Sequence, residues 1–306
     1  QIKKWQAPNE IIEAQVYGYE NELKALNVEI EESREGKFSI KIPKPRSFRA
    51  GRYTLKLNLI KDGVSYAQEQ DFTWGVLAIN LNKSVYLPNE DSFIGIGVLD
   101  DSGRMVCNAS VTLEITDPLN GKTTLTTANG EIKISPECEV YGVTNLPDYY
   151  AGYRVNEAGS YLMNLTSVTS NGARSVQDAF FVQDSVEFDV ARNGPTRIYP
   201  PVPYFMNISI IANKNYDGAI NEYVPGSFEI ENFKFYETGK DNPAASSITE
   251  ANGTKILSAD VKLKKGSKYV LSYIFDAPDI SPEFYLMGPL DIGAFKESRQ
   301  WQIASD

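Results

Sequence analysis

Runs in which apolar and polar residues alternate recur along the whole chain, and they constrain its fold more than any other feature. The strictest run is Ala50–Leu59, and in Val111–Thr116 Val, Leu and Ile alternate with Thr and Glu. This period of two is typical of a β-strand with one buried face. Glu20–Glu35 carries many helix formers but keeps no helical period, so we expect strand with an acidic turn. The sequence therefore predicts an all-β fold.

A hairpin signature occurs more than once. Gly51–Asp71 opens on Ala-Gly-x-Tyr, turns at Asp-Gly and returns to Asp-Phe, and Gly159–Asp178 repeats this arrangement. A weaker third copy begins at Lys265–Tyr273 and ends, after a long insertion, at Gln300–Ile303. Three copies of one terminal hairpin indicate three similar modules in series.

We therefore predict tandem immunoglobulin-like or macroglobulin-like β-sandwiches over residues 1–74, 75–184 and 185–306. The boundaries lie near Gly75 and Asp184. Tyr53, Tyr161 and Tyr269 are expected to be equivalent buried positions, because a tyrosine at the start of a late strand can tie down a sandwich corner. Asp291–Asp306 is expected to form the last strand of the third module.

The charge and residue types exclude several classes of function. The chain has 306 residues, 30 of them basic and 40 acidic, and its net charge of −10 disfavours nucleic acid and acidic membranes as partners. It contains no run of 18 apolar residues, so no membrane insertion is expected. It also contains no histidine, which removes His-based triads and His-ligated metals. We expect a protein that is not an enzyme, has no metal or cofactor, and carries most of its acids as solvating charge in turns and on exposed strand faces.

The two cysteines, Cys107 and Cys138, are too few for a zinc or iron–sulfur site. In an acidic, β-rich chain they suggest one disulfide and an oxidising compartment, and two free buried thiols are the alternative.

Three further features bear on ligands. Asp184, Glu187 and Asp189 lie between the second and third predicted modules. They are either calcium ligands or solvated linker charge. Pro147–Tyr150 is a loop where exposed aromatic residues could bind glycan or protein, although packing in the core is the favoured interpretation. Five Asn-x-Ser/Thr sites permit glycosylation, at Asn82, Asn108, Asn164, Asn207 and Asn252.

Several segments carry a resemblance. Asn82–Pro118, with its Lys-x-x-Tyr-x-Pro-Asn-Glu opening and Val-Cys-Asn-Ala segment, resembles the macroglobulin-type β-sandwich. Glu222–Phe228 resembles the conserved-repeat sandwiches of large bacterial surface proteins. Phe72–Asn80 and Gly194–Pro201 resemble large surface proteins of uncultured, small-genome bacteria. The Cys-Gly-Glu-Gln thioester of protease-trapping macroglobulins is absent, so that activity does not carry over.

The sequence thus predicts a non-enzymatic structural module of an extracellular surface protein, such as a surface layer, stalk or filament, and we interpret it as a piece of a longer chain. Its expected partners are other copies of itself or neighbouring domains of the parent chain. Gln1–Pro8 is expected to precede the first strand, and either this segment or Trp301–Asp306 is expected to pack on one of these. The alternative is an adhesin-like module that binds glycan or protein through its loops.

Overall fold

The computed structural model describes residues 3–7, 10–18, 23–24, 28–34, 37–41, 51–74, 76–100, 102–138, 144–170, 172–240 and 242–306. Every regular element in these ranges is a β-strand, which confirms the all-β prediction. The chain divides into two compact units, Gln1–Gly75 and Val76–Asp306.

The first unit combines a five-stranded sheet with a two-stranded ladder, around a small core that includes Ala14, Val28 and Tyr53. Within Glu20–Glu35 the described residues form two strands, apart from Val28, and strand was expected there. The prediction that Gln1–Pro8 precedes the first strand is wrong, because Lys3–Ala7 pairs with the next strand and satisfies the backbone groups of its edge. The strands are β1 (Lys3–Ala7), β2 (Glu10–Gly18), β3 (Leu23–Lys24), β4 (Glu29–Arg34), β5 (Lys37–Lys41), β6 (Gly51–Lys61) and β7 (Val64–Trp74).

The second unit begins with what we call the middle sandwich, β8 to β16. Sheets in the orders β13-β14-β10-β8 and β12-β11-β15-β16-β9 enclose one apolar core. Val111, Leu113 and Ile115 point into it, as their alternation predicts. The strands are β8 (Leu77–Leu81), β9 (Val85–Tyr86), β10 (Asp91–Val98), β11 (Ser110–Thr116), β12 (Lys122–Thr126), β13 (Lys133–Ile134), β14 (Tyr149–Arg154), β15 (Gly159–Thr169) and β16 (Gly172–Val182).

The C-terminal sandwich, β17 to β28, completes the second unit. Its sheets have the orders β17-β19-β24-β21, β22-β23-β20-β26-β27 and β18-β28-β25, around a larger core. The strands are β17 (Phe188–Asn193), β18 (Arg197–Ile198), β19 (Tyr204–Ala212), β20 (Tyr216–Pro225), β21 (Glu229–Glu237), β22 (Ser246–Ala251), β23 (Thr254–Leu263), β24 (Lys268–Asp276), β25 (Glu283–Met287), β26 (Leu290–Ile292), β27 (Phe295–Lys296) and β28 (Trp301–Ser305).

The predicted boundary near Asp184 falls in the connection between β16 and β17. Both sandwiches nevertheless belong to one compact unit. Their division into separate domains at residues 75–184 and 185–306 stays a prediction.

The segment that enters the middle sandwich explains the Lys-x-x-Tyr-x-Pro-Asn-Glu pattern. Tyr86 lies on β9, which runs parallel to the end of β16, and its buried hydroxyl donates to Asn82 Oδ1 at 2.7 Å. Lys83 Nζ lies 2.8 Å from Glu90 Oε1 and ties the two ends of the turn together. Asn89 has φ +67°, a left-handed conformation that asparagine tolerates better than most residues.

The β6–β7 and β15–β16 hairpins match without a gap. All four strands have 11 residues, and each boundary of the second hairpin lies 108 positions after the boundary of the first, from Gly51 and Gly159 onward. Tyr53 is paired with Phe72 and Tyr161 with Phe180 in the same register. Aligning the two aspartates, as the sequence comparison did, is therefore one position out.

The third hairpin is not the one predicted. Lys265–Tyr273 contributes to β24, which pairs with β19 and β21, whereas β28 pairs with β25. By register, Tyr285 opposite Ile303 occupies the position that Tyr161 opposite Phe180 has in the middle sandwich. Tyr269 is buried, and its hydroxyl accepts from Lys264 N at 2.8 Å, as the Tyr161 hydroxyl accepts from Glu157 N at 3.1 Å; its equivalence to Tyr53 and Tyr161 stays a prediction. The antiparallel partner of β28 is β25, which lies within the segment that the sequence comparison treated as a long insertion.

Candidate functional site

The two sandwiches meet where β8 faces β28, and two side-chain amides replace the missing backbone ladder there. Asn80 is buried; its Nδ2 donates to Gln302 O at 2.7 Å and to Thr196 Oγ1 at 3.1 Å, and its Oδ1 accepts from Gln302 N at 2.8 Å. Gln302 reciprocates, because its Oε1 accepts from Ile79 N at 3.0 Å and its Nε2 donates to Asp178 Oδ2 at 2.9 Å. We call this reciprocal pair the amide lock. Each side chain satisfies backbone groups of the opposite strand.

An ion pair between the buried Arg299 and the half-buried Asp178 lies beside the amide lock. Arg299 Nη2 donates to Asp178 Oδ2 at 2.7 Å and to Ile79 O at 2.7 Å. Ser298 Oγ donates to Ser84 O at 2.9 Å and extends the contact along the chain. Arg299 therefore bonds to two strands of the middle sandwich from a loop of the C-terminal one.

A second ion pair closes the other side of the junction. Arg197 Nε donates to Asp148 Oδ1 at 2.7 Å, and Arg197 Nη1 donates to Asp306 Oδ2 at 2.7 Å. Asp148 Oδ2 also accepts from Val98 N at 3.0 Å. Burial raises the pKa of the Asp148 carboxyl, while the guanidinium of Arg197 opposes that shift. Since one carboxylate binds both sandwiches, breaking the pair would leave a charge buried without its partner.

A third buried cluster lies within the C-terminal sandwich, next to the junction. Arg192 binds Glu222 through two hydrogen bonds of 2.7 and 2.6 Å and binds Glu297 through Nε at 3.0 and 2.9 Å. Tyr273 Oη donates to Glu222 Oε1 at 2.9 Å. Burial raises the pKa of the Glu222 carboxyl, and Arg192 opposes it. Arg192 N meanwhile donates to Asn82 O at 2.8 Å, so the cluster is connected to the middle sandwich.

Three acids in these clusters are exceptions to the expectation that most acids serve as solvating charge. Asp148, Glu222 and Glu297 are all buried and paired with arginines. Glu222 and Glu297 share Arg192 and are sealed from solvent, so they offer no pair of carboxylates to a substrate. The function of these acids is to join elements.

The three acids considered as calcium ligands do not converge. Asp189 Oδ1 lies 2.8 Å from Lys83 Nζ, Glu187 pairs with Lys214, and Asp184 is exposed. Within the described residues, His, Cys, Asp and Glu side chains form no group of three that could hold a metal ion. Lysines neutralise two of these acids instead.

Cys107 and Cys138 are both buried and joined by a disulfide in the middle sandwich, with Cα atoms 5.7 Å apart. The bond connects the segment before β11 to the turn after β13. The thiol state of the purified protein stays a prediction.

The aromatic loop is mostly core. Tyr149 is fully buried, and its hydroxyl donates to Val106 O at 2.6 Å, so the interpretation as an exposed loop aromatic is wrong for this residue. Tyr150 stacks on Phe93 with ring centroids 6.2 Å apart. Phe93 is 46% exposed and faces a groove between the sandwiches.

That groove, which we call the junction groove, has a volume of about 660 Å³. Residues of both sandwiches line it: Asn80, Asn82, Phe93, Gly95, Asn145, Leu146, Pro147, Ala191, Arg192, Asn193, Gly194, Thr196, Asn207, Ser209, Tyr236, Val270 and Trp301. Two of the glycosylation sequons, at Asn82 and Asn207, lie in it. Of the five, Asn108, Asn207 and Asn252 are exposed, whereas Asn82 and Asn164 are half-buried.

Sequence reasoning missed the amide lock and the buried ion pairs. β28, within Trp301–Asp306, packs on β8 inside one compact unit, and the packing of this segment on a separate domain or copy stays a prediction. None of the described residues forms a helix long and apolar enough to cross a membrane.

No family model and no curated protein matches the sequence. Among solved structures, the C-terminal domain of the Streptococcus pyogenes antigen I/II-family protein AspA matches with a TM-score of 0.30 and 7% identity, over 75% of this chain and 99% of that one. The N-terminal domain of the Streptococcus gordonii adhesin Sgo0707 matches with a TM-score of 0.30 and 9% identity, over 100% of this chain and 81% of that one. The collagen adhesin of S. aureus matches with a TM-score of 0.24 and 9% identity, over 74% of this chain and 91% of that one. TM-scores of this size carry no argument about what this chain does.

Proposed function

We propose that the chain is a non-enzymatic structural module of an extracellular surface protein such as a surface layer, stalk or filament. One observation carries the proposal: the amide lock and its flanking ion pairs join two sandwiches into a single compact unit. A joint of this kind transmits length and load without chemistry. In this role the partners are neighbouring domains of the parent chain and other copies, and no cofactor is needed.

Two further features support the extracellular setting. The disulfide suits an oxidising compartment. The net charge of −10 keeps a crowded surface protein soluble.

Stretching the full chain between its ends in optical tweezers tests the mechanical role. We expect residues 76–306 to unfold in one event, because the joint couples the sandwiches. Arg299→Ala, which leaves the half-buried carboxylate of Asp178 without its cation, should split that event into two. Lys262→Ala is the matched control, since its pair with Asp217 is exposed on both sides and should contribute little.

Two separate events within residues 76–306 of the unmodified chain, in addition to the event of residues 1–75, would contradict the proposal. Its cellular setting is tested by immunogold labelling of intact source cells with antibody against this chain. Label confined to the cell interior would contradict the extracellular assignment.

A second candidate function, the adhesin-like binding module, is favoured by the junction groove. Its volume of about 660 Å³ lies inside the range of about 300–1,000 Å³ that ligand sites occupy. The groove is built on the rigid junction, which would hold its two walls at a fixed separation.

A further inference from the structure

We infer that the junction groove binds a neutral oligosaccharide. This inference rests on the second candidate function, the binding module, and specifies the chemical class of its ligand. Three properties of the groove lead to it: its lack of available charge, its unpaired amides and its exposed aromatic ring.

The groove is uncharged although the chain is acidic. Of the 17 described residues that line it, Arg192 alone is charged, whereas 23% of the whole chain is charged. The Arg192 guanidinium is buried and bound to Glu222 and Glu297, so it presents no charge to a ligand. An ionic ligand would find no counter-charge there, and a neutral polar one is therefore favoured.

Three exposed asparagines supply the polar recognition. Asn193 and Asn207 stand directly opposite each other on β17 and β19, and Asn145 lies on the wall that the middle sandwich contributes. Their side-chain amides make no hydrogen bond within the described part of the chain. Opposed residues in a sheet have Cβ atoms about 4.5–5.5 Å apart, so two amides side by side present adjacent donors and acceptors. Neighbouring hydroxyls of a sugar, each both donor and acceptor, match that arrangement.

Phe93 supplies an apolar platform at the same groove. It is 46% exposed, and its stacking on Tyr150, with ring planes 17° apart, fixes its orientation. A pyranose ring has an apolar C–H face beside its hydroxyls, and such a face packs on an aromatic ring. Trp301, whose Nε1 donates to Pro195 O at 2.8 Å, is buried below as part of the floor.

An extended peptide fits this groove less well. Peptides that add to a sheet need an open strand edge. The outer edge of β17 is already engaged, because Arg192 N donates to Asn82 O at 2.8 Å. Sugar hydroxyls need no such edge.

The test is a glycan array that carries neutral and acidic oligosaccharides, probed with the full chain, followed by calorimetric titration of each bound sugar. We expect binding of neutral oligosaccharides, weakened about tenfold or more by Phe93→Ala and by the double change Asn193→Ala, Asn207→Ala. The controls are Phe205→Ala and Asn108→Ala, both exposed outside the groove, and these should keep the affinity within about twofold. Unchanged thermal midpoints show that each variant is folded.

Preference for acidic sugars, or binding that the groove variants leave unchanged, overturns the inference. A peptide-display screen run in parallel separates it from the function on which it rests. A groove-dependent peptide without any bound sugar overturns the glycan inference and leaves the binding function standing. Absence of ligand in both screens overturns both, while the structural proposal is judged by the tweezers experiment alone.

Discussion

At the scale of single residues, Asn80 carries the most at the junction. Replacing it with aspartate keeps the shape but turns the Nδ2 donor into an oxygen that faces Gln302 O and Thr196 Oγ1. We expect Asn80→Asp to lower the free energy of unfolding by about 3 kcal/mol, since a buried anion then lies against the carbonyl oxygen of Gln302. Urea denaturation measures the loss. Asn108→Asp, at an exposed site, is the control, and equal effects would show that the amide lock is not formed.

Tyr161 offers a second residue-scale prediction. Its hydroxyl donates to Glu157 O and accepts from Glu157 N, both at 3.1 Å. Tyr161→Phe should cost about 1 kcal/mol through the lost hydrogen bonds, and Tyr161→Ala about 3 kcal/mol or more through the cavity. Thr112→Ala, on a half-buried outward position, should cost under about 1 kcal/mol in the same denaturation assay. Similar costs at both positions would contradict the assignment of strand faces.

The disulfide is tested at this scale too. Labelling of the unreduced, denatured protein should detect no thiol at Cys107 or Cys138. Reduction should lower the free energy of unfolding by about 3–4 kcal/mol on the loop-entropy model, because the closed loop spans 31 positions. Two labelled thiols in the unreduced protein would contradict the pairing.

The sequence indicated which residues of the Arg192 cluster point inward, but not that Arg192 and Glu222 contact each other. In β17 and β20 the period of two places Arg192 on the same face as Phe188 and Val190, and Glu222 on the face of Ile220. These inward positions were visible in the alternation. Their contact was not visible, because β17 and β20 lie in different sheets. The alternation within a strand does not determine how two sheets pack on each other.

The amide lock could not be predicted from the sequence at all. Asn80 and Gln302 lie 222 positions apart and resemble ordinary surface polar residues when each is read within its own segment. Only tertiary packing gives their amides a buried environment, so local periodicity holds no information about it.

At the scale of elements, β28 has two functions. It closes the C-terminal sandwich by pairing with β25 and β18, and it carries Gln302 onto β8. Removing Trp301–Asp306 should therefore abolish the cooperative unfolding transition of residues 76–306. Near-ultraviolet circular dichroism measures this transition. Removing Lys3–Ala7, an edge strand of the first unit, should leave that transition in place. A middle sandwich whose transition survives loss of β28 unchanged would contradict this account.

Strand prediction succeeded where the signal was local and failed where it was not. The alternation and the Asp62-Gly63 turn define the β6–β7 hairpin within its own residues. The partner of β28 could not be chosen that way, because Lys265–Tyr273 has a glycine shortly before its tyrosine and Glu283–Met287, which makes the actual pairs, has none.

At the scale of the whole molecule, the chain has two compact units although it contains three cores. Differential scanning calorimetry should show two transitions, one for residues 1–75 and one for 76–306. Arg299→Ala should lower the midpoint of only the second, because Arg299 binds Asp178 within that unit. Three transitions in the unmodified protein would show that the junction does not couple the sandwiches.

The polar chemistry of the junction also matters while the protein is being made. Gln302 follows Asn80 by 222 positions, so at a synthesis rate of roughly 5–20 residues per second it emerges from the ribosome roughly 10–45 s later. During that interval the amide of Asn80 is hydrated by water, and so is the carboxylate of Asp178 until Arg299 emerges. An apolar docking face of the same extent would be a site of aggregation over the same interval. A joint built from amides and ion pairs thus protects the middle sandwich from aggregation until the C-terminal sandwich has been synthesised.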